Sequence, residues 1–415
     1  MKYGLIGEHL GHSFSKIIHG MIADYEYELC ELSPTEIGEF MTKREFCAIN
    51  VTIPYKQTVI PYLDFVSEQA KTIGAVNTVV NHNGKLFGYN TDFFGMEKLI
   101  KNKGVELKGK KVLICGTGGT SKTAQAVAES LGANEIYRIS RKVGEDTVTY
   151  DEAYEKHSDA EIIINTTPVG MFPNIDASPL DISKFAKLEG VFDAVYNPLR
   201  TRLIEGAAKR GIASEGGLYM LVAQAVEACR IFLDKALPEN TIDKVYTKLL
   251  ADKENIVLIG MPACGKSTIG RLLAKQTSRE FYDLDEEIVK YTQRAIPDIF
   301  ANEGEAAFRD IEAKVLLEKL ASLSGAVIAT GGGAVLRKEN VKNLKMNGRL
   351  YFLNRPLCQL LPTPDRPTAS SKEAIEQRYK ERLPIYKWAA DTEIKTDGIA
   401  EHAADDVLKA HYKEV

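Results

Sequence analysis

Residues Gly260 to Ser267 read Gly-Met-Pro-Ala-Cys-Gly-Lys-Ser and satisfy the spacing G-x-x-x-x-G-K-[ST] in full. Such a loop turns sharply between a strand and a helix, so that backbone N–H groups and the helix N-terminus face phosphate oxygens. Gly260 and Gly265 permit the turn, Lys266 reaches the terminal phosphates, and the Ser267 hydroxyl suits Mg²⁺. With Thr268 beginning the following helix, these residues are expected to hold ATP. Asp283 and Asp285 follow as Asp-Leu-Asp at the end of the next predicted strand. An acidic pair there ordinarily caps a helix. Behind a phosphate loop, one carboxylate suits Mg²⁺ or its waters and the other a proton from a substrate hydroxyl.

A second glycine-rich turn, Gly116-x-Gly118-Gly119, follows the apolar run 111–115 and precedes a helical pattern. This is the layout of a dinucleotide fingerprint, with Ser121 at the usual third glycine position. The next predicted strand ends in Ser140-Arg141-Lys142. An acidic residue there would bond a ribose 2′-hydroxyl and select NAD. Two cations suit a 2′-phosphate, so NADP(H) is the expected cofactor.

These residues need rigid elements behind them. Apolar β-rich runs alternate with helical patterns almost throughout, the mark of parallel α/β architecture. Strands are expected near residues 3–7, 27–32, 48–53, 76–81, 85–89, 111–115, 135–139, 161–165 and 191–195. A second system restarts at 256–259, with strands near 280–282, 326–329 and 350–353. Asn83-Gly84 predicts a two-residue hairpin. Helical patterns cover 16–25, 92–103 and 218–232, and residues 233–255, charged and weakly periodic, read as a partly helical linker.

At 415 residues the chain is too long for one typical core. Its 53 basic and 57 acidic residues leave a net charge of −4, so no broad attraction to nucleic acid or anionic lipid is expected. No stretch approaches the ~18 apolar residues of a membrane span, and the first residues do not read as a signal peptide. Six scattered cysteines without a C-x-x-C pair favour reduced thiols in a cytoplasm. His9, His12 and His19 lack a carboxylate frame, so a metal triad is not expected. His12 is expected to order the serine turn, and Asn50 to be structural.

The strings LIGMPACGKSTIGRLLA, YDLDEEI, IFANEGEAAFRDIE, ATGGGAVL and RYKERLPIYKWAA, spread over residues 255–412, resemble the shikimate kinase family. Only the phosphate loop is generic; the others together are specific. The resemblance implies that Asp285, Arg309, Gly331, Gly332, Gly333 and Arg382 hold shikimate. It puts Asp283 at the metal-linked position and Arg366 in a lid over residues 361–372, with Lys266, Asp285 and Arg366 catalytic. Guanidinium forks suit a carboxylate, and bare glycine backbone lets a small ring approach. Without the family, Arg309 reads as the helix-surface partner of Glu305. Beyond Arg366 the family's usual leucines are replaced by Thr368-Ala369-Ser370.

The strings YGLIGEHLGHSFSKIIH, NVTIPYK, GAVNTV, GYNTD, NTTPVGM, DAVYNPL and GLYMLVAQA resemble shikimate dehydrogenase over residues 1–235. The resemblance implies that Ser13 and Ser15 bind a substrate carboxylate, and Thr52, Asn77 and Gln224 the ring hydroxyls. Tyr196 matches a substrate-side position, the backbone of Gly217 a nicotinamide contact, and Lys56 with Asp92 the catalytic pair. The pair makes chemical sense: ketone reduction by hydride needs a proton donor at the nascent alkoxide, and a lysine coupled to a carboxylate can serve. Departures are Lys16, where the family usually has proline, and Thr120-Ser121-Lys122 in the nucleotide turn.

The expected fold is α/β throughout: an N-terminal α/β substrate domain plus a Rossmann NADP domain, then a P-loop, nucleoside-monophosphate-kinase-like parallel α/β domain. The expected boundaries are 1–103 (completed by a helix over 218–235), 104–217, a linker at 236–254, and 255–415. The resemblances imply NADPH-dependent reduction of 3-dehydroshikimate, then MgATP-dependent phosphorylation of shikimate. Small molecules are the expected partners, with no nucleic acid and no membrane. The alternatives are a quinate-using front module, or one module kept as a metabolite-binding regulatory domain.

Overall fold

The structure is a computed structural model and describes residues 1–11, 13–142, 144, 146–360 and 372–412. It divides into two compact units, Met1–Tyr246 and Thr247–Val415.

The first unit contains two sheets. The first comprises β1 (Tyr3–Gly7), β2 (Tyr27–Glu31), β3 (Ala48–Val51), β4 (Phe65–Val66), β5 (Thr78–His82) and β6 (Lys85–Tyr89), ordered β2-β1-β3-β5-β6-β4. β1 pairs in parallel with β2 and β3, Ile6 facing Val51, so the chain leaves β1 and β3 at one common edge. β5 and β6 form the expected hairpin, with Asn83 and Gly84 both at positive φ. Neighbouring residues along these strands point to opposite faces. Ile6, Ile49, Val51 and Val79 pack with Met41 and Leu86 on one face. Leu5, Ala48 and Val80 pack with Tyr27, Ala228 and Phe232 on the other, where the helix Gly217–Leu233 lies. This helix also crosses the helix Thr91–Lys101 closely: a side chain at Gly95 would strike the Met220 backbone carbonyl.

The second sheet comprises β7 (Lys111–Cys115), β8 (Glu135–Ile139), β9 (Thr147–Val148), β10 (Ile162–Asn165), β11 (Gly190–Asp193) and β12 (Ala213–Glu215). Its order is β12-β11-β10-β7-β8-β9 and its pairings are parallel. The strand order reverses at β7, the point where open α/β sheets bind ligands beyond the strand ends. The Gly116 turn leaves β7 at that place.

The second unit holds β13 (Asn255–Ile259), β14 (Phe281–Asp283), β15 (Val327–Ala329), β16 (Gly348–Asn354) and β17 (Thr392–Lys395), ordered β14-β15-β13-β16-β17 and again parallel. Ile256 to Ile259 are fully buried, which explains a continuous apolar run where a half-exposed strand would alternate.

Within the expected partly helical linker, Thr241–Lys253 is a helix, and the two units divide within it. Its buried Ile242, Val245 and Leu249 recur at helical spacing. The first helix, Ser15–Ile22, stops short of the pattern over 16–25.

Candidate active sites

In the first unit, a cleft of about 410 Å³ gathers residues from the ends of β1 and β3, from the start of the hairpin and from four helices. Ser13 and Ser15 stand on the turn after β1, where Ser13 Oγ accepts a hydrogen bond from the Ser15 N–H at 3.2 Å. Thr52 and Lys56 follow β3; the Thr52 N–H donates to Ile6 O, and Val76 N–H to Lys56 O, which pins this segment. Lys56 Nζ donates to Asp92 Oδ2 at 2.6 Å. Asp92 lies in the first turn of its helix, where the N-terminal partial charge favours a carboxylate. Asn77, Tyr196, Gly217 and Gln224 line the same cleft, together with Thr120 of the nucleotide turn.

Local sequence explains several of these placements. Gly116 has φ 110°, and a Cβ there would press on Thr166 and Thr167. Ser121, at the third glycine position, is fully buried and turns its hydroxyl onto Gly118 O at 2.7 Å. The Gly116 N–H donates to Ile139 O, so Ser140, Arg141 and Lys142 leave β8 beside the glycine turn. Arg141 and Lys142 are exposed, and Ser140 Oγ accepts from the Lys142 N–H. Burial pushes the Tyr196 phenol above its ordinary value. Burial also raises the nearby Asp193 carboxyl to about 6, although Thr201, the Val195 N–H and Asn165 all donate to it.

In the second unit the loop is built as expected, with Gly260, Ala263 and Gly265 at positive φ. A Cβ on Gly260 would strike Leu353 O, so the close approach requires glycine there. Lys266 is buried and donates to the carbonyls of Gly260 (3.0 Å) and Met261 (2.8 Å). Ser267 Oγ donates to Asp283 Oδ2 at 2.5 Å, while Asp283 Oδ1 accepts the Asp285 N–H at 3.0 Å. Asp283 therefore caps the helix Leu284–Thr292 and faces the phosphate loop at once. Lys266, Ser267, Thr268, Asp283 and Asp285 line one cavity of about 320 Å³.

A second cavity, of about 740 Å³, is lined by Asp285, Arg309, Gly331, Gly332, Gly333 and Arg382. Arg309 Nη1 donates to both oxygens of fully buried Glu312 (3.0 and 2.8 Å), and Arg309 Nη2 to Glu305 (3.1 Å). Burial raises the Glu312 carboxyl, with Arg309 pulling the other way; burial also opposes the Arg309 charge, which Glu312 and Glu305 sustain. Arg382 Nη1 donates to Gly332 O at 3.2 Å. Asp285 lies on both cavities, joining an acceptor carboxylate to the phosphate loop.

Known proteins resemble this chain in sequence and fold. Residues 5–79 match the family model of the shikimate dehydrogenase substrate binding domain. Shikimate dehydrogenase (NADP(+)) of Clostridium beijerinckii is 35% identical over 260 residues, spanning 59% of this chain and 96% of that protein. The chain belongs to the shikimate dehydrogenase family. The crystal structure of shikimate dehydrogenase 1 from Peptoclostridium difficile is similar with a TM-score of 0.54 at 34% identity, over 60% of this chain and 98% of that one. The Thermus thermophilus enzyme, crystallised in complex with NADP(H) and shikimate, gives 0.54 at 28% identity, over 60% of this chain and 99% of that one. Residues 262–411 match the shikimate kinase model. The chain is thus a bifunctional shikimate-pathway enzyme, a dehydrogenase followed by a kinase domain.

Arg366 and His12 lie outside the described residues. His19 is buried, stacked on Tyr27 and bonded to Tyr25, and Asn50 accepts from Tyr27 in the cleft floor. Among the described residues no helix is long and apolar enough to cross a membrane. Sequence reasoning missed Thr120 and Met220 in the dehydrogenase cleft, and Glu312, Thr330 and Arg355 in the kinase domain. Glu312 carried a signal, since it sits one helical turn after Arg309. Arg355 carried none: it reaches the loop from the end of β16, beside a small cavity lined by Thr268, Thr396 and Gly398.

Proposed function

We propose that the dehydrogenase unit reduces 3-dehydroshikimate to shikimate with NADPH, and that the kinase domain phosphorylates shikimate at the C3 hydroxyl with MgATP. The observation that carries this reading is the Lys56–Asp92 pair at 2.6 Å, held in a cleft shared with Ser13, Ser15 and the nucleotide-turn residue Thr120. In the relatives' names, NADP recurs, which supports that cofactor here. The left-handed Gly116 turn, the following helix N-terminus and the exposed Arg141 and Lys142 fit its pyrophosphate and 2′-phosphate. The hydroxyl of Ser267 against the Asp283 carboxylate fits Mg²⁺, which takes few protein ligands and keeps water and phosphate oxygens.

In the first reaction the reduced nicotinamide supplies the hydride. Lys56 gives its proton to the carbonyl oxygen as that oxygen becomes an alkoxide, and Asp92, which accepts a hydrogen bond from Lys56 Nζ, holds the ammonium in place. Ser13 and Ser15 hold the carboxylate, while Thr52, Asn77, Gln224 and Tyr196 orient the ring. In the second reaction MgATP supplies the phosphoryl group. Asp285 accepts the proton of the attacking hydroxyl, Lys266 and Arg366 offset charge on the phosphoryl oxygens, and Arg309 and Arg382 grip the carboxylate. The proposed domains are 1–103 with the helix over 218–235 (substrate), 104–217 (NADP) and 255–415 (kinase). All six cysteines are unpaired, which supports a reducing compartment such as the cytoplasm.

Four pairings test the reading: dehydroshikimate or dehydroquinate with NADPH or NADH. The highest kcat/KM is expected for dehydroshikimate with NADPH, and replacement of Arg141 and Lys142 by alanine should weaken NADPH while sparing NADH. A preference for dehydroquinate would replace the reading with its quinate-using alternative, and a preference for NADH would overturn the cofactor.

A further inference from the structure

Asn77 and Gln224 come from opposite ends of the dehydrogenase unit, yet one buried residue touches both. Thr91 is 1% exposed and opens the helix that carries Asp92. Its backbone N–H donates to Asn77 Oδ1 at 2.7 Å. Its hydroxyl lies 3.3 Å from each of three oxygens: Asn77 Oδ1, Gln224 Oε1 and Thr78 Oγ1.

The direction of each bond follows from what each group can do. A backbone N–H only donates, so the Asn77 atom facing it must be the carbonyl oxygen and not the amide nitrogen. Asn50 Nδ2 donates to Thr78 Oγ1 at 3.1 Å, and Thr78 Oγ1 donates to Asn77 Oδ1, also at 3.1 Å. Two donors therefore occupy the two lone pairs of Asn77 Oδ1, which turns the Thr91 hydroxyl proton toward Gln224 Oε1. Gln224 Nε2 in turn donates to Leu221 O at 2.9 Å, which leaves one of its two protons for the cleft.

We propose that Thr91 is a positioning residue of the dehydrogenase: its N–H and hydroxyl turn the Asn77 and Gln224 carbonyls into the protein, so that both side chains offer N–H donors to the ring oxygens of the substrate. The inference rests on the dehydroshikimate reading above, because it takes the cleft ligand to be a hydroxylated ring. It also gives the cleft a polarity. Lys56, Asn77 and Gln224 face the ring as donors, and Asp92 is the one carboxylate among the described lining residues. Ring hydroxyls held by the two amides are read as acceptors.

A double-mutant cycle between Thr91→Val and Gln224→Ala tests this, with Thr91→Ser as the conservative control and Thr91→Ala as a smaller deletion should valine fail to fold. Thr91→Val is expected to raise the KM for dehydroshikimate about tenfold, with kcat within threefold and the NADPH KM unchanged. Thr91→Ser should restore wild-type values. In the Gln224→Ala background, removing the Thr91 hydroxyl should add less than a further twofold. An unchanged KM in both Thr91→Val and Thr91→Ala, a serine variant as poor as valine, or effects that simply multiply would each overturn the proposal. A wild-type enzyme that turns over dehydroquinate but not dehydroshikimate would overturn the underlying reading instead, and is seen in the same assay.

Discussion

Lys56 Nζ and Asp92 Oδ2 lie 2.6 Å apart although 36 residues separate them in the chain. Lys56 is held by the segment after β3, and Asp92 by the first turn of the helix that follows the β5–β6 hairpin. Their side chains are 29% and 20% exposed, so the pair is wetted on one side and contributes about 1 kcal/mol or less to folding. Its value is therefore chemical: a charged donor held at the mouth of a cleft.

Lys56→Ala should accordingly lower dehydrogenase kcat by about 10²–10⁴-fold while leaving phosphorylation of added shikimate intact. Lys266→Ala should do the reverse. Steady-state assays of both activities on each folded variant decide it, and loss of both activities in either variant would contradict separate sites.

Gly333 sits directly under the Arg309 guanidinium, where a Cβ would collide with it. Gly333→Ala must displace Arg309 from its two hydrogen bonds to Glu312. Hydrogen bonds to charged groups are worth about 1.5–3 kcal/mol, so the shikimate KM of the kinase should rise about 10–100-fold. The ATP KM should change less than about twofold. Equal changes in both constants would mean that Arg309 does not grip the acid.

Acid should destabilise the dehydrogenase unit through His19. Burial lowers its pKa from 6.5 to about 3, so the native ring is neutral. Above pH 6.5 neither folded nor unfolded chain binds the proton, and the contribution is complete. Below it the unfolded chain binds a proton that the folded one refuses, and stability falls by about 3 kcal/mol between about pH 7 and pH 4. His19→Phe keeps the stack on Tyr27 without a titrating group. Amide-exchange protection of β1 and β2, corrected for intrinsic rates, should fall about 10²-fold more in the wild type. Parallel pH profiles would contradict the assignment.

The central strands are readable from sequence because they are buried on both faces and apolar without interruption, as in Ile162–Ile164 and Ile256–Ile259. The unanticipated strands β4, β9, β12 and β17 all lie at open sides of their sheets, where the order ends. They are two to four residues long, too short to show an alternation, and β12 and β17 also carry half-exposed polar residues. The two glycine turns are equally plain, since their chemistry lies within a few consecutive residues. The Thr91–Gln224 contact spans 133 positions, and the convergence of Asp285, Glu312 and Gly331 depends on packing that local pattern does not encode. Family likeness supplied the substrate residues; the geometry supplied what holds them.

The most direct measurement follows NADPH absorbance and ADP release together when the purified full chain receives dehydroshikimate, NADPH and MgATP. The account predicts that NADPH falls and that ADP appears only when NADPH is present, because the kinase uses the product of the reduction. ADP release at full rate without NADPH, or no consumption of either, would contradict it.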